Sequence, residues 1–309
     1  MTQRIRIASR ASVMATAQVK WLMAEIVRTT PGVAPEFVQV STEGDRWAGP
    51  LSELGKGGKG AFISAVTDRV LQGEADLALH CLKDMPGDVP APKGLICLYP
   101  ARDDLNDVLV HPGGLKLDDL PPGTRVGTSA PRRIAQLTAS HPHLVIVPVR
   151  GNADTRLQLA HSGQVDAVIL ANAGLRRIGR EEEGTEILGA YRMMPALGAG
   201  QLAMQVHEDD AATRAVLAPL VDPRATRAAV AERTLLRALA GHCHAPIAGH
   251  ALADESGAVR LAGRVYAPDG SVVLSSELTG NAPEAVGRGV AEDLIGQGAN
   301  ELLAASRRA

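Results

Sequence analysis

The sequence predicts two consecutive α/β units followed by a small α+β domain. Three observations carry that prediction. Apolar runs of strand length alternate with segments of helical spacing from the N-terminus to beyond Ala167. Ala75 to Leu82 is a nearly unbroken apolar run, as expected of a strand covered on both faces of a parallel sheet. After Arg224 the pattern changes to one long amphipathic segment and then two stretches of alternation, the pattern of a helix packed on antiparallel strands.

Taken in order, Arg4 to Ala8 reads as a strand, and Ser12 as the cap of a helix whose apolar residues Val19, Leu22, Met23 and Ile26 recur at helical spacing. Phe37 to Val40 is a second strand. Gly55 to Gly60 is glycine-rich and precedes a helix from about Phe62 to Leu71; it lacks the spacing and the following Ser or Thr of a phosphate-binding loop, so a flexible lid is expected. The buried strand Ala75 to Leu82 ends in Lys83, Asp84, Met85 and Pro86, and charged residues there are site candidates because open α/β sheets bind ligands beyond their strand ends.

The second unit starts near residue 100, with strands at Val108 to His111, Arg125 to Thr128, Leu144 to Val149 and Ala167 to Ala171, and helices at Arg132 to Ala139 and Asp154 to His161. Gly127 to Arg133 sets small polar residues before a helix with Pro131 near its first turn, so backbone N–H groups and the guanidinium groups of Arg132 and Arg133 are expected to converge on an anion. Arg150, Gly151 and Asn152, with Arg156 a short turn onward, repeat the device, and Arg176 and Arg177 follow an apolar strand expected to end at Leu175. In the last part, Arg224 to Leu239 is an amphipathic helix, Val259 to Val265 and Val272 to Leu278 are antiparallel strands, and one helix runs from about Pro283 to Leu303.

Composition narrows the function. A chain of 309 residues with 45% hydrophobic residues can bury several cores. Its mean hydropathy of +0.01 and its lack of a long apolar run argue against a membrane protein. The N-terminal residues lack the apolar core of a secretion signal, which predicts a cytoplasmic location where Cys81, Cys97 and Cys243 stay reduced. A net charge of −2 and 2% aromatic residues provide neither the basic field nor the stacking platforms of a nucleic-acid binder. Arginine nonetheless outnumbers lysine and falls beside Gly, Ser, Thr or Asn in loops, where its planar fork suits carboxylates or phosphates.

Cys243 lies in a turn-like stretch from Ala240 to Gly249, far from the other cysteines, in a setting that suits either a reactive thiol or a small buried hydrophobe. A zinc site built from His242, Cys243, His244 and His250, with His80 and Cys81, is disfavoured, because consecutive residues rarely point at one ion and no paired ligand spacing occurs. No metal is therefore expected.

Eight segments occur in the order of one family: Arg4 to Ser12, Gly57 to Phe62, His80 to Pro86, Gly127 to Arg133, Arg150 to Asn152, Ala173 to Gly179, Glu232 and Arg233, and Gly241 to Ile247. In these the chain resembles the porphobilinogen deaminases, also called hydroxymethylbilane synthases, over nearly its whole length. The resemblance implies two periplasmic-binding-protein-like α/β domains plus a small C-terminal α+β domain: residues 1–99 with 200–219, residues 100–199, and residues 220–309. It also implies head-to-tail condensation of four porphobilinogen molecules with loss of ammonia onto a dipyrromethane cofactor, then hydrolytic release of hydroxymethylbilane for tetrapyrrole and heme biosynthesis.

Carried onto this sequence, the resemblance makes Asp84 catalytic and Cys243 the thioether attachment point of the cofactor. Arg10, Ser12, Lys83, Thr128, Ser129, Arg132, Arg133 and Arg150 match cofactor-binding positions; Arg10, Arg150, Arg156 and Arg177 match substrate-binding positions; Lys56, Lys59 and Phe62 belong to the lid. Twelve carboxylates on a six-ring chain account for arginines gathered in one cleft. Asp84, beside pyrrole N–H groups, would stabilise the azafulvene-like cation left when ammonia departs, and would assist proton transfer. The family's usual Ser is Cys81 here, a usual hydroxyl residue is Ala130, and Ala199, Gln201, Asn106, His242 and Lys56 also depart from its pattern. The implied protein is a monomer, handing its product to a uroporphyrinogen-III synthase. The other reading is a divergent paralogue that binds a polycarboxylate or pyrrole ligand without turning it over.

Overall fold

The computed structural model describes residues 3–47, 60, 62–89, 92–242 and 244–306, without the side chain at position 46. Three of the residues singled out from the sequence, Lys56, Lys59 and Cys243, lie outside them. In chain order the described strands are β1 (Gln3–Arg10), β2 (Val33–Val40), β3 (Leu77–Cys81), β4 (Leu95–Leu98), β5 (Asp107–Val110), β6 (Arg125–Gly127), β7 (Val145–Val147), β8 (Ala167–Ala171), β9 (Glu186–Leu188), β10 (Leu202–His207), β11 (Ile247–Ala253), β12 (Val259–Tyr266) and β13 (Val273–Gly280). The helices are α1 (Val13–Thr29), α2 (Glu43–Arg46), α3 (Ser64–Leu71), α4 (Pro131–Ser140), α5 (Ala153–His161), α6 (Asn172–Arg177), α7 (Ala211–Leu217), α8 (Pro223–Ala238), α9 (Pro283–Gly296) and α10 (Ala299–Ser306).

These strands build two five-stranded sheets, ordered β2-β1-β3-β10-β4 and β7-β6-β8-β5-β9, and a three-stranded sheet β11-β12-β13. The fold is the expected pair of α/β sheets with a small α+β unit. In the first sheet β1 pairs in parallel with β2 and β3, while β10 runs antiparallel between β3 and β4. The run from Ala75 is therefore parallel on one side only, which its sequence could not show because burial on both faces produces the same apolar run either way. Pro35 is tolerated in β2 because that strand is an edge, where a missing N–H leaves no ladder bond unmade.

Both faces of the first sheet are covered. Ser12 caps α1, its hydroxyl accepting from the Ala15 N–H at 3.3 Å, and the helix buries Val19, Leu22 and Ile26 against Ile5, Ile7, Leu77 and Met204. On the other face, Val66 and Val70 of α3 pack on Ala8, Val40 and Ala78. The second sheet is covered in the same way, with Leu137 of α4 on one face and Leu157 of α5 on the other. In the third unit, Leu235 of α8 and Val290 and Leu294 of α9 close over Leu261 and Val265.

The first two units share one detail at corresponding places. The Arg6 N–H and guanidinium both donate to Asp76 at 2.7 Å and the guanidinium also reaches the Gly73 carbonyl at 2.9 Å; Arg125 does the same with Asp166 at 2.7 Å and Gly163 at 2.8 Å. Gly73 and Gly163 have φ of +68° and +71°, a left-handed turn that glycine adopts without the steric cost of a side chain.

Other elements differ from the expectations. Residues 172–177 are the helix α6, not the end of a strand, so Arg176 and Arg177 stand on a helix. The last helix is two, α9 and α10, separated where Gly298 takes φ +103°. β4, β9, β10 and β11 had no sequence prediction; β9 has three residues and β4 four, too short for a periodic pattern to register.

The two crossing segments and the third unit meet on one carboxylate. Glu232 of α8 is 1% exposed and accepts from Arg102 at 2.7 Å, from the Ala251 N–H of β11 at 2.6 Å and from the Gly198 N–H at 2.5 Å. Arg102 also donates to the carbonyls of Ala199 at 2.7 Å and Ala251 at 3.2 Å. Arg102 and residues 198–200 lie on the two segments that cross between the first and second sheets, and Gly200 passes so close to the carbonyls of Asp103 and Asp104 that no side chain fits. Removing one partner of a buried pair leaves the other charge uncompensated, at about 3–5 kcal/mol. Glu232→Ala is thus expected to lower unfolding free energy by about 3–5 kcal/mol in urea titration, with Arg102→Ala similar and the double variant well short of the sum.

Candidate functional site

β3 ends at Cys81 and the chain turns through one short 3₁₀ segment, Leu82–Asp84, which sets the Asp84 carboxylate at the strand end. The turn is held from two sides. Leu82 N–H donates to the Gln201 carbonyl at 2.9 Å, and Arg233 of α8 donates to the carbonyls of Met85 and Pro86. Gly87 N–H then donates to the Gly241 carbonyl at 3.0 Å, so the residues flanking Cys243 and the turn bearing Asp84 are bonded neighbours. Arg233 was noted in the sequence only as part of a motif; its role as a brace becomes visible through these two carbonyls.

A cleft opens between the end of β1, the start of α1 and this turn, lined by Ser9, Arg10, Ser12, Gln18, Phe62, His80, Cys81 and Asp84 among others. Arg10 stacks over the Phe62 ring at 4.2 Å and pairs with Asp45. The Ser12 hydroxyl serves as the α1 cap. Gln18 donates to the Cys81 sulfur at 3.1 Å, and burial raises that thiol's pKa, with Asp84 adding to the effect and Arg177 and Lys83 opposing it. Cys81 therefore stays a neutral thiol beside Asp84. Under the cleft His80 bonds Gln205 at 3.3 Å, and Thr67 donates to the same amide oxygen at 2.8 Å.

The second unit contributes the arginines. Arg132 and Arg133 are buried at the start of α4 and both grip Asp107: Arg132 at 2.7 and 3.1 Å, Arg133 at 2.9 and 2.6 Å. Each also reaches a carbonyl, of Met194 at 3.0 Å and Ile169 at 2.7 Å respectively. Among the described residues, the anion on which these two arginines converge is the protein's own carboxylate. Burial pushes the Asp107 carboxyl up, and the two guanidinium groups outweigh it and hold it well below the usual range. Thr128 is buried, its hydroxyl accepting from the Ala130 N–H at 3.3 Å, and Ser129 is latched to Val149 in both directions, at 2.8 and 2.9 Å. Arg177 sits on Asp103 at 3.4 Å and on the Gly200 carbonyl at 2.8 Å, beside the crossing segments.

Arg156 is a crowded cation of the cleft. Burial first, then the like charges of Arg133 and Arg150, push it down to about 10, and Asp84 acts in the opposite sense. That pattern places Arg133, Arg150 and Asp84 within electrostatic reach of Arg156, although Asp84 comes from the other sheet. Mutual repulsion among guanidinium groups beside one carboxylate is relieved by a polyanion, and the donor set fits a ligand with several carboxylates. Asp45 and Asp103 were missed from sequence. The Thr42-x-x-Asp45 capping box was a signal for the first; nothing local marked the second. Among the described residues no cluster of His, Cys, Asp or Glu could hold a metal ion, and no helix is long and apolar enough to cross a membrane.

Comparison with known proteins gives a consistent result. Residues 5–215 match the family model described as porphobilinogen deaminase, dipyromethane cofactor binding domain, and residues 226–296 match that of the porphobilinogen deaminase C-terminal domain. The chain is similar to porphobilinogen deaminase 2 of Streptomyces coelicolor, 51% identical over 302 residues, covering 97% of this chain and 96% of that protein. It is 41% identical to porphobilinogen deaminase 1 of the same organism over 319 residues, covering 98% of each. To the porphobilinogen deaminase of Bacillus subtilis it is 37% identical over 305 residues, covering 98% and 96%.

The floor of the cleft holds a buried histidine. Burial holds His80 down at about 4, with Gln205 opposing. The unfolded chain protonates this ring near pH 6.5 while the folded protein does not, so its contribution is complete above about pH 6.5 and is lost as pH falls toward 4. Denaturant titrations of the natural chain and His80→Asn are expected to diverge over this window, the natural chain losing about 3 kcal/mol more. Parallel pH profiles would show that the ring protonates in place.

Proposed function

The chain belongs to the porphobilinogen deaminase family, and on that premise we propose that Asp84 is its catalytic carboxylate and Cys243 its point of cofactor attachment. The enzyme is a hydroxymethylbilane synthase: it joins four porphobilinogen molecules head to tail with loss of ammonia, and hydrolysis releases the product. Its cofactor is dipyrromethane, which when bound supplies the pyrrole carbon from which the chain grows. The family match favours the enzyme over a non-catalytic binding protein.

The observation that carries the residue assignments is the electrostatic grouping of Asp84 with Arg133, Arg150 and Arg156 across the two sheets. Arg150 and Arg156 receive acetate and propionate arms of the pyrroles, with Arg10 and Arg177 on the side of β1 and α6. Arg132 and Arg133, anchored by Asp107, give the cofactor's carboxylates a rigid positive wall, with Ser12, Lys83, Thr128 and Ser129 around it. Asp84 stabilises positive charge as it develops on the substrate losing ammonia, because a fixed carboxylate at that point needs no reorganisation. It hands a proton to the departing amine and takes one from the attacked ring. By the family pattern we assign Lys56, Lys59 and Phe62 to the lid.

The domains we assign are residues 1–99 with 200–219, residues 100–199, and residues 220–309. The protein works as a cytoplasmic monomer and passes its product to a uroporphyrinogen-III synthase.

Two measurements test this reading. Intact mass of the purified protein, with an acid aldehyde colour test for linked pyrroles, is expected to show a two-pyrrole adduct that disappears in Cys243→Ala; an adduct that persists would remove Cys243 from its role. Asp84→Ala is expected to lower kcat by at least about a hundredfold while the unfolding midpoint stays in place, and full turnover by that variant would remove Asp84.

A further inference from the structure

We infer that Asp45 sets how tightly Arg10 grips substrate carboxylates, by occupying the guanidinium edge that a carboxylate would use. The inference rests on the hydroxymethylbilane synthase reading and deepens it. Arg10 lies at the end of β1 in the cleft, and its Nε sits 3.1 and 3.2 Å from the two Asp45 oxygens while a terminal nitrogen donates to one of them. That Nε edge forms one of the bidentate faces of a guanidinium. The Phe62 ring, 4.2 Å beneath, fixes the plane of the fork and leaves it little freedom to rotate toward another partner.

Asp45 cannot follow Arg10 away from this position. The Thr42 hydroxyl and N–H donate to its Oδ2 at 2.7 and 3.2 Å, closing a capping box around α2. Burial raises the Asp45 carboxyl, and hydrogen bonds from Arg10 and Thr42 outweigh it and hold it below the usual range, so it remains charged as a competitor. The segment lies directly on Phe62; a side chain at Gly44 would run into that ring. Three separate parts of the sequence, the end of β1, α2 and the residue after Ala61, thus form one clamp.

An incoming acetate or propionate arm gains only the difference between its own bond to Arg10 and the bond to Asp45 that it displaces. A small difference suits a site that must take up a carboxylate and let it go each time the chain lengthens. Asp45 is accordingly a positioning residue that acts through Arg10.

Asp45→Asn keeps the size of the side chain and an oxygen for Thr42 but removes the competing charge. It is expected to lower the KM for porphobilinogen about tenfold, equivalent to about 1.4 kcal/mol, with kcat unchanged or reduced. Intact mass at subsaturating porphobilinogen should show a larger share of protein carrying added substrate units. In an Arg10→Lys background, which keeps the charge and loses the fork, the same substitution should change KM by less than about twofold. Overturning results are an unchanged or raised KM in Asp45→Asn at an unaltered unfolding midpoint, or an equal fall in KM in the Arg10→Lys background. Absence of porphobilinogen turnover by the natural chain would overturn the functional reading and this inference together, and is recognised before any variant is compared.

Discussion

Glu232 and Arg102 bear the architecture. One buried carboxylate takes hydrogen bonds from the crossing segment at Arg102, from the second crossing segment at Gly198 and from β11 at Ala251. Such a pair carries a large desolvation cost, compensated only by filling each lone pair. The arrangement does so with donors from both crossing segments and from the third unit, which ties the placement of that unit on the crossing segments to a single residue. Because α8 also carries Arg233, the helix that locks the crossing segments is the one that holds the Met85 and Pro86 carbonyls. The turn bearing Asp84 and the backbone at Gly241 are thereby fixed to the same body.

The charge pattern follows a second rule. Four arginines of the cleft have been given a carboxylate by the fold: Asp45 for Arg10, Asp107 for Arg132 and Arg133, Asp103 for Arg177. This is how a chain of net charge −2 concentrates cations in one place without losing its stability to self-repulsion. Arg156 is different: its guanidinium donates to the Gly151 carbonyl, and Arg133 and Arg150 crowd it while Asp84 acts in the opposite sense. Fixed cations with internal partners make a wall; the crowded one makes a socket.

Much of this was legible from the residues. Strand β8 spans Ala167–Ala171 as read, the Ser12 cap is where its residue type put it, and Asp84 stands at the end of a buried strand. These depend on local signals: apolar runs, caps and charged residues after them. What stayed hidden depends on partners distant in sequence. Arg132 and Arg133 were visible as cations, but nothing near them named Asp107 as the group they would bury. β10 contributes a strand to a sheet whose other members end more than a hundred residues earlier, and antiparallel insertion leaves no periodic trace. The helix from Pro283 kept its spacing through the break at Gly298, since a single left-handed residue does not disturb the apolar pattern on either side.

The place of β10 also imposes an order on assembly. All strands of the second sheet lie between Asp107 and Leu188, so that sheet can close as soon as this stretch has left the ribosome. The first sheet cannot, because β3 and β4 are joined only through β10, which is made about a hundred residues after β4. During synthesis the β10-facing edge of β3 therefore waits unpaired, and the strand that leads into Asp84 acquires its second neighbour only after the whole second sheet has been made.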